Sequence, residues 1–389
     1  MNEWGYAAVE TDLRTVLAEL IASFQTRTVP ESFTVTIGFD GFIDEILEVV
    51  DKRYTATSYD RIDTIANFGQ RILGSAGLST NIELVPALIK LGGNGPNLAN
   101  ALAALNQQII YLGALGVPDI DPVFQELVDR CRQVVSFANP GHTDALEFND
   151  GKIMLGKLAP LNEVNWDNLT AKAGADLLHQ AFIEADLVAT VNWTMIPYMN
   201  QIWDQLYRYL SAQEMPKRPY LFVDLADPEK RSREDIREAI GYLEQFSRFY
   251  DVILGLNRKE AREVAQALGL NPPQSWDLMP LAEITKLLGE HLNLWGVVVH
   301  AVKACAAVCD GVFAEISGPY CAKPKVTTGA GDNFNAGFCF GLLLNLTLPE
   351  VLALGSACSG FYVRQGFSAN WQQLQDFISL WINNITVSF

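Results

Sequence analysis

Apolar positions along this chain follow two different periods. Short apolar runs at 187–191, 220–225, 252–256 and 296–302 are rich in branched and aromatic residues, as buried strands are. Between them lie 198–212, 232–245, 258–267 and 281–290, where apolar residues recur at helical spacing. Strands alternating with helices predict an α/β fold with a mainly parallel sheet covered on both faces. Upstream, 33–37 reads as a strand ending at Gly38, 98–105 as a helix, 109–112 as a strand and 121–132 as a helix. Residues 144–155 alternate around Asn149-Asp150-Gly151, the mark of a hairpin. A strand at 311–316 and helices at 333–345 and 349–363 close the pattern. An amphipathic stretch at 7–26 precedes it, and 54–90 shows no clear period.

This pattern predicts an N-terminal helical extension over 1–30 and one large domain over 31–389. A small β lid is drawn from parts of 40–60 and 140–160. In open parallel sheets ligands bind beyond the carboxyl ends of the strands. Chemistry is therefore expected after Ile37, around Gly92, at Asn192, Asp224 and Asn257, and near Thr327.

Composition narrows the classes of function. The 389 residues are 49% hydrophobic and 19% charged, enough apolar material for a sizeable core. With 45 acidic against 28 basic residues the net charge is −17, and no Lys/Arg cluster offers a face to nucleic acid. No uncharged apolar run reaches the roughly 18 residues of a membrane span. The start, Met1-Asn2-Glu3-Trp4, lacks the pattern of a signal peptide. The six cysteines have no metal or pairing spacing, which predicts buried free thiols in a cytoplasmic protein. The four histidines show no metal spacing, and His300, ending an apolar run, reads as a buried, satisfied side chain.

The densest chemical signal is Thr327-Thr328-Gly329-Ala330-Gly331-Asp332, followed by a helical Asn333-Phe334-Asn335-Ala336-Gly337-Phe338. Small residues let a ligand approach the backbone, and amides at a helix start favour negative charge. A carboxylate on the same helix start can take a proton from an attacking hydroxyl. The string resembles the C-terminal signature of the ribokinase (PfkB) family of carbohydrate and nucleoside kinases. Gly92-Gly93-Asn94-Gly95-Pro96-Asn97-Leu98-Ala99 resembles that family's sugar-contacting element, and Asn257-Arg258-Lys259-Glu260 its Asn-x-x-Glu motif.

The resemblance implies a three-layer αβα kinase with Mg²⁺ as cofactor and ATP as co-substrate. It implies Asp332 as base, an anion hole at Gly329, Ala330 and Gly331, and phosphate contacts at Asn257, Glu260 and Thr328. Glu260 would hold Mg²⁺ through water, and Gly92, Gly93, Asn94 and Asn97 would hold a sugar or nucleoside. The substrate diol calls for an Asp beyond the first strand. Asp44 is the first choice and Asp40 its rival. A homodimer through the lid is also implied.

Departures from the family pattern leave alternatives open. Val326 replaces an Asp that helps hold a monovalent cation, so potassium activation does not carry over. His300-Ala301-Val302-Lys303 replaces the Thr-x-Gly that borders the nucleotide. ADP as donor and a non-catalytic sugar or nucleotide sensor therefore stand beside the ATP-dependent kinase. Lys303 is either a phosphate contact or a surface residue. Asn94 stands where ribokinases carry Lys, so ribose is not singled out. Asp224, Asp227, Pro228 and Arg231 either border the site or start a helix.

Overall fold

The computed structural model describes residues 7–8, 12–25, 31–272 and 275–385. Ten strands form the main sheet. Their order is Ala7–Ala8, Val312–Ser317, Ala304–Cys309, Gly296–His300, Asp251–Asn257, Tyr220–Asp224, Leu187–Val191, Thr34–Phe39, Gln108–Gly113 and Gln133–Ser136. From Gly296–His300 to Gln133–Ser136 every pairing is parallel. Ala304–Cys309 pairs antiparallel with both of its neighbours.

The strands are apolar on both faces because both faces are covered. Val188, Leu221, Val223, Val252 and Leu254 enter one core with the helices Met199–Ser211, Arg233–Phe246, Arg258–Ala267 and Leu281–His291. Their neighbours Leu187, Ala189, Phe222 and Ile253 enter a second core on the other face. There they meet Asn94–Ala104, Ala330–Leu343, Leu348–Gln365 and Trp371–Asn383. Alternation along each strand thus sorts residues into two cores.

Four stretches differ from expectation. Within the amphipathic stretch at 7–26, Leu13–Gln25 is a helix and Ala7–Ala8 pairs with the sheet edge. Val16, Leu17, Leu20 and Phe24 sink into the second core, with Phe24 4.4 Å from the Trp371 ring. The lid sheet contains Phe42–Arg53, Tyr59–Arg61, Leu84–Gly92, Gly141–Phe148 and Gly151–Lys157. Its strand Leu84–Gly92 lies within the stretch that showed no period, because it is exposed along most of its length and carries no inside–outside alternation. Finally, Ala304–Cys309 and Trp371–Asn383 extend the fold beyond the predicted elements.

Candidate active site

The strand order reverses between Thr34–Phe39 and Leu187–Val191, which creates a crevice at their carboxyl ends. Asp40 follows one strand and Asn192 the other. The Asn192 side-chain amide donates to Asp40 at 2.6 Å. Asp40 also accepts from the backbone amides of Asn94 at 2.9 Å and Gly95 at 2.8 Å, capping the helix Asn94–Ala104. Burial raises the Asp40 carboxyl to about 6, against the pull of these bonds. Gly93 and Gly95 make this close fit possible: a Cβ on either would lie 2.7 or 2.5 Å from an Asp40 oxygen. Asp40 is thus consumed by the scaffold.

Asp44 lies on the lid strand Phe42–Arg53 and faces a cavity of about 690 Å³. Burial raises its carboxyl, while a hydrogen bond with the Thr143 side chain and the charges of Lys90 and Lys152 oppose the rise. Gly92 lies directly behind it. A Cβ there would come within 2.4 Å of the carboxyl carbon. Gly92 thus makes room for Asp44 and does not itself line the cavity. The same cavity is lined by Gly93, Asn94, Asn97, Thr328, Gly329, Gly331 and Asp332.

Asp332 sits in the first turn of Ala330–Leu343, a helix entered through Gly329 at φ 90°. The amides of Asn94 and Asn97 donate to its two oxygens at 3.0 and 3.1 Å. Burial pushes this carboxyl up to about 7; the Asn97 bond opposes the rise and the nearby Asp40 adds to it. At neutral pH it is poised between its charge states, which suits a general base.

The anion hole implied by Gly329, Ala330 and Gly331 needs one correction. The Ala330 amide donates to the Thr327 carbonyl at 3.1 Å, and the Asn333 amide to the Gly329 carbonyl. The Thr328 carbonyl accepts from the Tyr362 hydroxyl at 3.0 Å. The amides of this turn left without such a partner are those of Gly329, Gly331 and Asp332.

Asn257 and Glu260 form a capping box at the start of Arg258–Ala267. The Asn257 side chain accepts from the amides of Lys259 and Glu260, and Glu260 accepts from the amides of Asn257 at 2.8 Å and Asp227 at 3.0 Å. Glu260 lines the cavity, as do Asp224 and Asp227, the cluster left undecided by the sequence. Asp224 accepts from the Ala226 amide and from the Asn335 side chain at 2.8 Å. Burial, then the nearby Glu260 and Asp332, raises the Asp224 carboxyl well above the usual range. Its signal in the sequence was positional: an acid ending an apolar strand.

A second cleft, of about 500 Å³, runs between the Ala304–Cys309 strand and the Leu348–Gln365 helix, past Pro319, Cys321 and Val363. It shares Asn257, His300 and Gly331 with the first cavity, so the two meet at these residues. Lys303 lines neither. Its ammonium stands 4.9 Å from the Tyr320 ring centre, on the exposed side of the turn. Of the two readings of Lys303, this placement favours the surface residue. The six cysteines are free, and no helix among the described residues is long and apolar enough to cross a membrane.

Fold and site together define a carbohydrate kinase of the PfkB type. The model of the prokaryotic ketohexokinase family matches residues 15–381, and the chain belongs to that family. Ketohexokinase from Haloferax volcanii is 27% identical over 347 residues, covering 89% of this chain and 90% of that protein. Among solved structures, a carbohydrate kinase from Agrobacterium tumefaciens aligns over 90% of this chain and 97% of its own, with a TM-score of 0.60 at 16% identity. Ribokinase from Cryptococcus neoformans, in complex with ADP, aligns over 89% and 99%, with a TM-score of 0.59 at 16% identity. The chain is thus a sugar kinase with a ribokinase-like fold.

Proposed function

We propose that this kinase transfers the terminal phosphoryl group of ATP to a primary hydroxyl of a ketohexose. The observation that carries this reading is the seam between the two cavities. Asp332 lines the first cavity beside this seam, held by Asn94 and Asn97, on a helix start whose Gly331 borders both spaces. The ketohexokinase relative supplies the sugar class, and the ADP-bound ribokinase the nucleotide.

In this reading the sugar occupies the lid-side cavity and donates hydroxyls to Asp44. Asn94 and Asn97 hold both Asp332 and the sugar in register. Asp332 takes the proton of the attacking hydroxyl as the O–P bond forms and the bond to the leaving ADP oxygen breaks. The amides of Gly329, Gly331 and Asp332 receive the charge of the transferring group. Such a transfer asks mostly for positioning and charge stabilisation, which these groups supply.

Among the described residues no three acidic, His or Cys side chains converge to ligate a metal directly, so a divalent cation would be held through water. Asp224, Asp227 and Glu260 line the phosphate side of the cavity, and Lys230 and Lys259 are both drawn into ion pairs around Asp227. Glu260 would hold Mg²⁺ through water, with Asp224 beside it. The ion would neutralise the donor phosphates. A second copy of the chain would cover the lid, whose edge strands expose Leu88 and Ile89 on one side and Met154 and Leu155 on the other.

The direct test measures nucleotide turnover by purified protein with a panel of sugars, with ATP or ADP as donor. ATP consumption that depends on a ketohexose supports the reading. ADP consumption, or binding without turnover, would replace it.

A further inference from the structure

His300 ends the strand Gly296–His300 and stands in register opposite Asn257. Its ring lies against the start of a second helix as well. A Cβ on Gly331 would be 3.3 Å from the imidazole Cε1 and 3.5 Å from Nε2. The imidazole packs against Phe334, with ring centres 5.0 Å apart and the planes tilted by 36°. It therefore lies between the starts of Arg258–Ala267 and Ala330–Leu343.

Two facts make this more than packing. First, His300 lines both cavities, so a donor reaching from the cleft toward Asp332 passes its edge. Because the phosphoryl end must reach the acceptor hydroxyl, the part of the nucleotide at this point is its phosphate chain. Second, among the described residues neither ring nitrogen of His300 has a hydrogen-bond partner. Burial depresses its pKa to about 4, so the ring is neutral, with one N–H donor and one acceptor. His300 is only partly buried, so its unpartnered N–H is open to the cavity, where a ligand oxygen can accept from it.

Resting on the kinase reading above, we propose that His300 is a phosphate-binding residue: its imidazole N–H donates to the β,γ-phosphate end of the nucleotide at the seam between the two cavities. This gives the departure His300-Ala301-Val302-Lys303 a role that Lys303, outside the cleft, does not fill. A neutral donor suits the position, since the acidic cluster opposite already holds room for a cation. Gly331 is the complementary requirement, because a side chain there would press on the ring.

The test reads binding separately from turnover. The chain has four histidines, so the Cε1–H signal of His300 in the NMR spectrum is assigned by its loss in His300→Gln. The wild-type signal should shift when Mg²⁺ and the non-hydrolysable analogue AMP-PCP are added. Adenosine alone should leave it nearly in place. In parallel, His300→Leu should lower kcat by roughly 10²–10³-fold with the sugar KM unchanged, the effect of removing one preorganised donor. His300→Gln, which keeps an N–H, should retain most of the activity. A shift of equal size with adenosine, or full kcat in a soluble, folded His300→Leu, overturns the assignment. If AMP-PCP shifts the signal but no sugar is phosphorylated, the ketohexose reading fails and the phosphate contact stands.

Discussion

Asn97 donates its side-chain amide to Oδ2 of Asp332 at 3.1 Å, across 235 positions of sequence. The bond joins the two motifs of the site, one on each flank of the sheet reversal. It also restrains the carboxylate that the proposed chemistry depends on. Replacing Asp332 by Asn keeps the volume and removes the base. The expected result is a fall in turnover of about 10²–10⁴-fold, with ketohexose binding retained. Phosphorylation rates and calorimetric titration of the sugar check it, and near-normal turnover would remove Asp332 from the mechanism.

The same carboxyl sets a pH dependence. Its pKa is raised to about 7 from an ordinary 3.8, mainly by burial. Activity should therefore fall as pH drops below about 7, as the base becomes protonated. Stability runs the other way. Between about pH 4 and 7 the folded protein holds a proton that the unfolded chain has released, so this group makes folding less favourable as pH rises, by about 4 kcal/mol in all. Asp332→Asn escapes that cost. Its melting temperature relative to wild type should climb from pH 4 to 7 and level off above. A difference that stays flat with pH would show that Asp332 ionises normally.

The metal reading gives a third outcome. Glu260 accepts from two backbone amides, those of Asn257 and Asp227, and lines the cavity. Glu260→Gln retains an acceptor for the scaffold but loses the charge. The Mg²⁺ concentration for half-maximal rate should rise several-fold while the sugar KM moves little. An unchanged magnesium titration would displace the phosphate end from Asn257 and Glu260.

The choice between Asp40 and Asp44 shows what was readable from the chain and what was not. Both acids follow the first strand and either fits a diol; Asp44 is the first choice from the sequence, and the spacing from Gly38 keeps Asp40 as its rival. The deciding facts are distant in sequence: Asn192 and the helix start at Asn94 consume Asp40, while Thr143 and Gly92 frame Asp44. Motifs that act through their own backbone, such as the Gly-rich start of the last catalytic helix and the capping box at Asn257, were legible because their geometry is local. His300 was not, because its partners Gly331 and Phe334 come from another element. The strand Leu84–Gly92 escaped notice for a related reason: only its pairing with Phe42–Arg53 makes it a strand.

Gly92 gives a test of Asp44 that touches no polar group. An added methyl would overlap the Asp44 carboxyl at 2.4 Å and must push it aside. Gly92→Ala should therefore raise the ketohexose KM as Asp44→Ala does, with the melting temperature largely kept in both. Asp40→Ala should behave differently, unfolding at lower temperature because it strips the cap of Asn94–Ala104 and leaves the Asn192 amide unpaired. Full activity in Asp44→Ala would end its role at the sugar.

The acceptor should be a free sugar rather than a sugar phosphate. Asp44, Asp224, Asp227, Glu260 and Asp332 line the cavity, against Lys230 as its one cationic lining residue among those described. Lys230 is itself 3.3 Å from Asp227. Arg53, on the lid strand and able in principle to reach inward, is instead bonded through its guanidinium to Glu83 at 2.9 and 2.6 Å and to the Thr55 and Ala56 carbonyls. A phosphate on the acceptor would need a cationic partner, ideally a bidentate Arg, to offset its desolvation. Beside Asp44 it would meet repulsion of about 1–4 kcal/mol instead. The hydroxyls of a neutral ketohexose can donate to Asp44 at no such cost. In competition for limiting ATP, the free ketohexose should be phosphorylated at least about tenfold faster than its monophosphate at equal concentration. That ratio corresponds to 1.4 kcal/mol, the lower part of the estimated repulsion. Preference for the monophosphate would mean that a cation reaches this pocket from elsewhere.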